Sequence, residues 1–244
     1  SMTTLFISDL HLEDQRPDIT RAFFYFLDQF EGKAERLFIL GDLFEIWLGD
    51  DALTETARQV STRLKQFSTA GCRVFIMHGN RDFLLGPDYA RACGAQLIDE
   101  PCIIRVAEQD CLLMHGDTLC TDDRLYMDFR TMVRNPDWQK VFLAKPIAER
   151  IAFGRQARHQ SQEDAKDKTY EILDVNEDAV INTCKQHNTP LFVHGHTHRP
   201  DRHVVDLGGR TCERIVLGDW HSQGWYLIAD EDQLELKSFS FPSQ

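Results

Sequence analysis

Five times along this chain a short apolar run ends in Asp, His or Asn next to glycine or another polar residue. The segments are Ile7-Ser8-Asp9-Leu10-His11, Leu40-Gly41-Asp42, Met77-His78-Gly79-Asn80-Arg81-Asp82, Met114-His115-Gly116-Asp117 and Val193-His194-Gly195-His196-Thr197-His198. Apolar runs this short read as buried strands. Ligating side chains at strand carboxyl ends face the crevice where open α/β sheets bind ligands. The glycines let the backbone turn tightly and approach a metal or phosphate closely. Carboxylates, imidazoles and one carboxamide, without a thiolate, suit Mn²⁺, Fe or Zn²⁺ better than Ca²⁺ or an iron–sulfur cluster. In Asp9-x-His11 an extended strand sends both side chains to one face, so the pair is expected to hold one ion. Each motif alone is ordinary; five in order, each closing a strand, predict one metal-binding crevice.

The first half alternates strands and helices. Thr4–Asp9, Arg36–Gly41 and Arg73–His78 read as strands, with helical periodicity from Ile19 to Phe30 and again within Glu55–Thr69. That βαβαβ order predicts a sheet with helices packed on it. Cys102–Val106 and Cys111–His115 flank residues 107–110, read as a hairpin connection. From about Asp122 to Asn182 the pattern is helical, broken at Pro136 and Pro146. Strands resume at Leu191–His194 and again at Ile215–Leu217, Gly224–Ala229 and Leu234–Ser238. The expected organisation is a core of residues 2–121 and 183–244 with a helical cap inserted at 122–182.

With 244 residues the chain can bury one large core. Ser1 reads as a cloning remnant before Met2, and no apolar run approaches the roughly 18 residues that span a bilayer. No signal peptide is visible, so a cytoplasmic protein is expected. Seven cysteines, an odd number with no CxxC pair, argue against a disulfide framework and read as core residues. The net charge of −12 opposes nucleic-acid binding, which needs a basic face. Residues 124–158 run against that balance, with eight basic side chains to three acidic ones. This +5 segment is a candidate surface for an anionic partner.

The ordered set DxH, GD, GNxD, H and GHxH resembles the calcineurin-like metallophosphoesterases. The resemblance implies an α/β sandwich of two mixed sheets flanked by helices, here with a helical cap. It also implies two metal ions per chain that activate a water for attack on phosphorus. One ion would take Asp9, His11, Asp42 and His198; the other would take Asp42, Asn80, His115 and His196, with Asp42 shared. The longer strings, among them Leu40-Gly41-Asp42-Leu43-Phe44-Glu45, His115-Gly116-Asp117-Thr118-Leu119-Cys120 and His196-Thr197-His198-Arg199-Pro200, extend the resemblance to the UDP-2,3-diacylglucosamine diphosphatase family of the bacterial lipid A pathway. That implies Mn²⁺-dependent hydrolysis of UDP-2,3-diacylglucosamine at the α-phosphorus, with Asp42, Arg81 and His196 as the catalytic set. Implied substrate contacts are Asn80, Arg81, Asp123, Ser161, Lys168 and His196, together with Tyr126 and Arg158. Ala165 stands where the resemblance implies a polar residue in many relatives, so one sugar contact is expected to be either absent or supplied by Asp164.

Arg81 is placed to grip a phosphate oxygen, the alternative being a salt bridge to Asp82. Asp82 is expected to orient the site. His78 and His194 are expected to support it or lie in the core, and His159, His187, His203 and His221 to be surface or structural. In the helical insertion Trp138, Val141, Phe142, Ile147, Ile151 and Phe153 alternate with Lys140, Lys145, Arg150, Arg155 and Arg158. Such a stretch suits a groove for two acyl chains, or the anionic cytoplasmic face of an inner membrane contacted peripherally. A monomer is expected. The rival readings are a broader phosphodiesterase or dinucleoside polyphosphate hydrolase, and a scaffold that has lost catalysis; the latter predicts missing ligands, and none is missing.

Overall fold

The computed structural model describes residues 3–243, so Ser1 and Met2 lie outside the described residues. In chain order the elements are β1 (Thr4–Ile7), α1 (Pro17–Phe30), β2 (Arg36–Leu40), α2 (Glu55–Thr69), β3 (Arg73–Met77), α3 (Pro87–Ala92), β4 (Ala95–Leu97), β5 (Cys102–Val106) and β6 (Gln109–Leu113). Then follow α4 (Arg124–Val133), α5 (Pro136–Leu143), α6 (Ile147–Ala165), α7 (Glu177–His187), β7 (Leu191–His194), β8 (Asp201–Asp206), β9 (Thr211–Val216), β10 (Gln223–Ala229) and β11 (Leu234–Ser240).

One sheet has the order β11-β10-β1-β2-β3-β4 and the other β5-β6-β7-β9-β8. Both are mixed, as expected: β1 to β4 run parallel in the first, and β6, β7 and β9 run parallel in the second. Alternation along β1 explains the layering. Phe6 points between the sheets into a shared core with Leu40, Leu113, Val193 and Ile215, while Leu5 and Ile7 face the helices. Phe6, Phe38 and Phe75 stack across three strands, with ring centroids 5.4 and 4.7 Å apart. On the outer face of the first sheet, α1 buries Phe23 and Phe26 edge-on against Trp220, which is wholly buried. Burial of such a side chain stabilises by about 1.5–3 kcal/mol.

Three sequence expectations change. Only Ala107 and Glu108 make the hairpin turn, both with positive φ, and Gln109 and Asp110 already pair in β6. Strand β8, Asp-Arg-His-Val-Val-Asp, went unread because it lies at an edge and is mostly exposed. The expected boundary at residue 182 falls inside α7. That helix buries Val180 and Cys184 against Phe192 and Cys212 of the second sheet, so it serves the sandwich. Its helical pattern continues the preceding block, and periodicity does not reveal which surface a helix covers. The breaks at Pro136 and Pro146 stand as helix starts, where a proline loses no intrahelical hydrogen bond. Among the described residues all seven cysteines are free, six of them buried, and no helix is long and apolar enough to cross a membrane.

Candidate metal centre and adjoining pocket

The five motifs close β1, β2, β3, β6 and β7, and hydrogen bonds between their turns bring them to one rim of the sandwich. Asp9 N–H donates to the Gly41 carbonyl, His11 N–H to that of Asp42, and Gly195 N–H to that of His115. Strand β1 ends at Ile7, so Asp9 and His11 do not leave an extended strand as expected. Both have left-handed φ, 57° and 51°. Asp42, His196 and His198 share that conformation, making five of the eight positive-φ non-glycine residues among those described. Each costs on the order of 1–3 kcal/mol, and such strain concentrates at functional sites.

The side chains form two clusters, Asp9 with His11 and His198, and Asp42 with His115 and His196. Within each cluster the ligating atoms lie within 4.8 Å of one another, close enough to hold a metal ion. Asn80 Oδ1 adjoins the second, 2.9 Å from His115 Nε2 and 3.0 Å from His196 Nδ1. Each aspartate spends one oxygen on the fold and presents the other to the site. Asp9 Oδ2 accepts from Ser8 and from His196 N–H, while the buried Oδ1 has no hydrogen-bond partner and stands 3.3 Å from His198 Nε2. Asp42 Oδ1 accepts from Arg81 N–H; Oδ2 lies 3.7 Å from His11 Nε2 and 3.4 Å from His115 Nε2, between the clusters. His115 donates from Nδ1 to the Leu40 carbonyl at 2.7 Å, which directs Nε2 into the site.

The electrostatics call for positive charge. Burial lowers a histidine, yet the Asp9, Glu45 and Asp42 carboxylates raise His11 to about 10. Complete burial likewise lowers His115, but the Asp42, Asp9 and Asp117 carboxylates together hold it well above the usual histidine range. His196 is pushed down to about 4 by burial and then by His115, so it is neutral with a free lone pair. Protons on His11 and His115 thus stand where cations would. An orphaned carboxylate oxygen, converging ring nitrogens and a proton-demanding cluster all fit a pair of divalent ions.

Supporting groups surround the clusters. Asp82 accepts from Asp42, Leu43 and Gly79 N–H at 3.1, 2.9 and 2.8 Å, so it braces the turn bearing Asp42. His194 is buried, held down to about 3 by burial and by Arg214, and its Nε2 accepts from that arginine at 3.0 Å. His78 contacts the Leu85 carbonyl, and His221 pairs with Arg16. The supporting roles of three residues, two of them inside the quoted motifs, are not readable from the sequence. Glu100 accepts from His115 N–H; Asp117 receives Tyr126 Oη–H and Arg130; Glu45 stands 3.6 Å from His11 Nδ1. Their partners lie 9 to 34 residues away, so no local spacing marks them.

Beside the clusters opens a cavity of about 360 Å³ between the sandwich and α4 and α6. Six expected contacts line it: Asn80, Arg81, Tyr126, Arg158, Ser161 and Lys168. Asp164 lines it too, whereas Ala165 does not. Asp123 stays outside; it caps α4 through Tyr126 N–H and pairs with Lys168 at 2.8 Å. His196 belongs to the metal cluster, its ring 6.0 Å from that of Tyr126. Arg81 pairs with Glu45 at 3.5 Å, and no Arg81–Asp82 ion pair forms.

The expected apolar groove divides. Phe142 and Phe153 line the cavity, with Trp138 stacked on Phe142 at 5.0 Å, but Val141, Ile147 and Ile151 are exposed and line none of it. Of the eight basic residues, four turn inward: Arg150 to Asp51, Arg130 to Asp117, Arg134 to the Gly79 carbonyl, and Arg158 to the cavity and Glu45.

Parallel strands in a two-sheet sandwich with paired Asp/His clusters at their carboxyl ends define a metal-dependent phosphoesterase. The chain belongs to the calcineurin-like phosphoesterase family, whose profile matches residues 2–200. It is 50% identical over 238 residues to the UDP-2,3-diacylglucosamine hydrolase of Cellvibrio japonicus, covering 98% of this chain and 99% of that one. It is 45% identical over 229 residues to the protein of the same name from Pseudomonas aeruginosa, covering 94% and 95%. An archaeal phosphodiesterase structure shares the fold at 14% identity, with a TM-score of 0.50 over 98% of this chain and 99% of that chain.

Proposed function

We propose that this chain hydrolyses the pyrophosphate of UDP-2,3-diacylglucosamine at the α-phosphorus, giving UMP and 2,3-diacylglucosamine 1-phosphate. The observation that carries this reading is one continuous surface: a cavity walled by Phe142, Phe153 and Leu125 that meets the paired Asp/His clusters at Asn80 and Arg81. A general phosphodiesterase has no use for an apolar chamber of that size. Near-full-length identity to relatives bearing the hydrolase name supports the same substrate.

In this reading Asp9, His11, Asp42 and His198 hold one ion, and Asp42, Asn80, His115 and His196 the other. Both are Mn²⁺, and the enzyme is a monomer. The ions supply Lewis acidity for phosphorus and an acidified water. Arg81 and Arg158 bind phosphate oxygens of the diphosphate. Lys168, with Asp123 behind it, and Ser161 meet the sugar, and Tyr126 packs beside His196. Helices α4–α6 form the cap. The exposed Val141, Leu143, Ile147 and Ile151, near Lys140, Lys145 and Arg155, rest on an anionic bilayer from which the substrate enters.

Incubation in ¹⁸O-water with Mn²⁺ is expected to place the label in UMP alone, read by mass spectrometry. Chelation should stop the reaction and Mn²⁺ restore it. Label in the sugar phosphate, or turnover unaffected by chelation, would refute the assignment. Leu125 is 59% exposed and lines the cavity, so Leu125→Gln should leave the fold intact. It is expected to raise KM for the diacylated substrate about 10-fold, the scale of losing one buried leucine. Turnover of a small aryl phosphodiester should stay unchanged; equal effects on both substrates would count against an acyl chamber.

A further inference from the structure

Glu45 connects the metal clusters to the cavity. Its backbone is fixed by donation to the Leu12 carbonyl at 3.1 Å, three residues after Asp42 and directly after the turn braced by Asp82. Its half-buried carboxylate faces three nitrogen-bearing groups from three different parts of the fold, with the Glu13 carboxyl also beside it. His11 Nδ1 stands at 3.6 Å, Arg81 Nε at 3.5 Å and Arg158 Nη2 at 3.8 Å. All three separations exceed hydrogen-bond length, and the buried Oε1 has no hydrogen-bond partner. An orphaned buried carboxylate oxygen is costly and calls for an explanation.

The same chain shows what a locked arginine looks like. Arg150 is 3% exposed, and both its terminal nitrogens meet Asp51 at 2.7 Å. Beside that bidentate pair, the contacts of Glu45 with Arg81 and Arg158 are loose, suited to exchange. Both arginines line the cavity, and a diphosphate offers them bidentate partners.

We propose that Glu45 is a positioning residue shared by the metal centre and the phosphate side of the cavity. Through Nδ1 it orients His11, leaving Nε2 for the ion, as carboxylates commonly do behind metal-bound histidines. Through its charge it keeps Arg81 and Arg158 aimed at the site until the substrate's diphosphate takes them over. The inference rests on the substrate reading above for its second half only.

The test compares Glu45→Ala and Glu45→Gln in the full chain, stripped of metal and titrated calorimetrically with Mn²⁺ alone, then assayed with UDP-2,3-diacylglucosamine. Glu45→Ala is expected to weaken Mn²⁺ binding about 10–100-fold, the usual effect of removing such a partner. Its KM should rise roughly tenfold, the scale of one lost charge-assisted contact. Glu45→Gln retains an oxygen for His11, so it should recover most of the Mn²⁺ affinity while keeping the raised KM. Wild-type values for both variants, or a change in only one readout for Glu45→Ala, would overturn the shared role. Absence of turnover by the wild-type protein would refute the substrate reading instead, and the Mn²⁺ titration would still decide the hold on His11.

Discussion

Asp42→Ala is expected to lower kcat/KM by at least about 10³-fold, close to 4 kcal/mol at 1.36 kcal/mol per decade. The size follows from position. Asp42 Oδ2 lies between the clusters, 3.7 Å from His11 Nε2 and 3.4 Å from His115 Nε2, so one truncation removes a ligand atom from both. Asp42 Oδ1 also receives Arg81 N–H at 2.8 Å, so the turn carrying Asn80 loosens too. Because Asp42 has φ of 56°, alanine adds backbone strain there, and Asp42→Asn is the better-matched control. Asparagine tolerates that conformation and keeps the Oδ1 contact while losing the charge. Its activity should fall nearly as far, with a smaller change in melting temperature. Steady-state rates at saturating Mn²⁺, paired with metal content by mass spectrometry, make the comparison. A variant holding two ions and working within tenfold of the native enzyme would eliminate the bridging role.

The second large effect belongs to a residue outside both clusters. Asp82 is wholly buried; Oδ1 accepts from Asp42 and Gly79 N–H and Oδ2 from Leu43 and Phe44 N–H. Asp82→Asn turns one of those oxygens into an amide NH₂ group, so donors face donors. Each buried N–H left without an acceptor costs about 1–3 kcal/mol. The expected total, roughly 2–4 kcal/mol, corresponds to a fall in melting temperature of about 5–15 °C for a chain of this size. Activity should fall at least about 100-fold because Asp42 moves with its turn, an effect on the scale of a misplaced catalytic group. Calorimetric melting and assays below the transition separate the two consequences. A melting temperature within about 2 °C of wild type would remove Asp82 from its supporting role.

The strand-closing motifs were legible because burial demands apolar runs, and polar residues that end such runs must face a rim. How Asp9 and His11 reach the rim was not legible: an extended pair and a left-handed pair have the same sequence spacing. Charge sign likewise says nothing about direction: Arg150 counts among the cations of a candidate surface, yet it anchors α6 to Asp51. Phe142 and Val141 are neighbours of similar hydrophobicity, yet one lines the cavity and the other faces outward. Only packing separates them. Glu45, Glu100 and Asp117 were hidden for a related reason, since each acts on partners that the fold alone makes neighbours.

The bond from His115 to the Leu40 carbonyl joins the two sheets at the place where the candidate ligands gather. The reactive centre is therefore also a clasp for the sandwich. A chain freed from catalysis would still need a donor at position 115, because losing it would loosen that joint. The presence of His115 taken alone is then a weaker sign of catalysis than the full ligand set together with the cavity mouth, where Leu125 and Ser161 hold no sheet together.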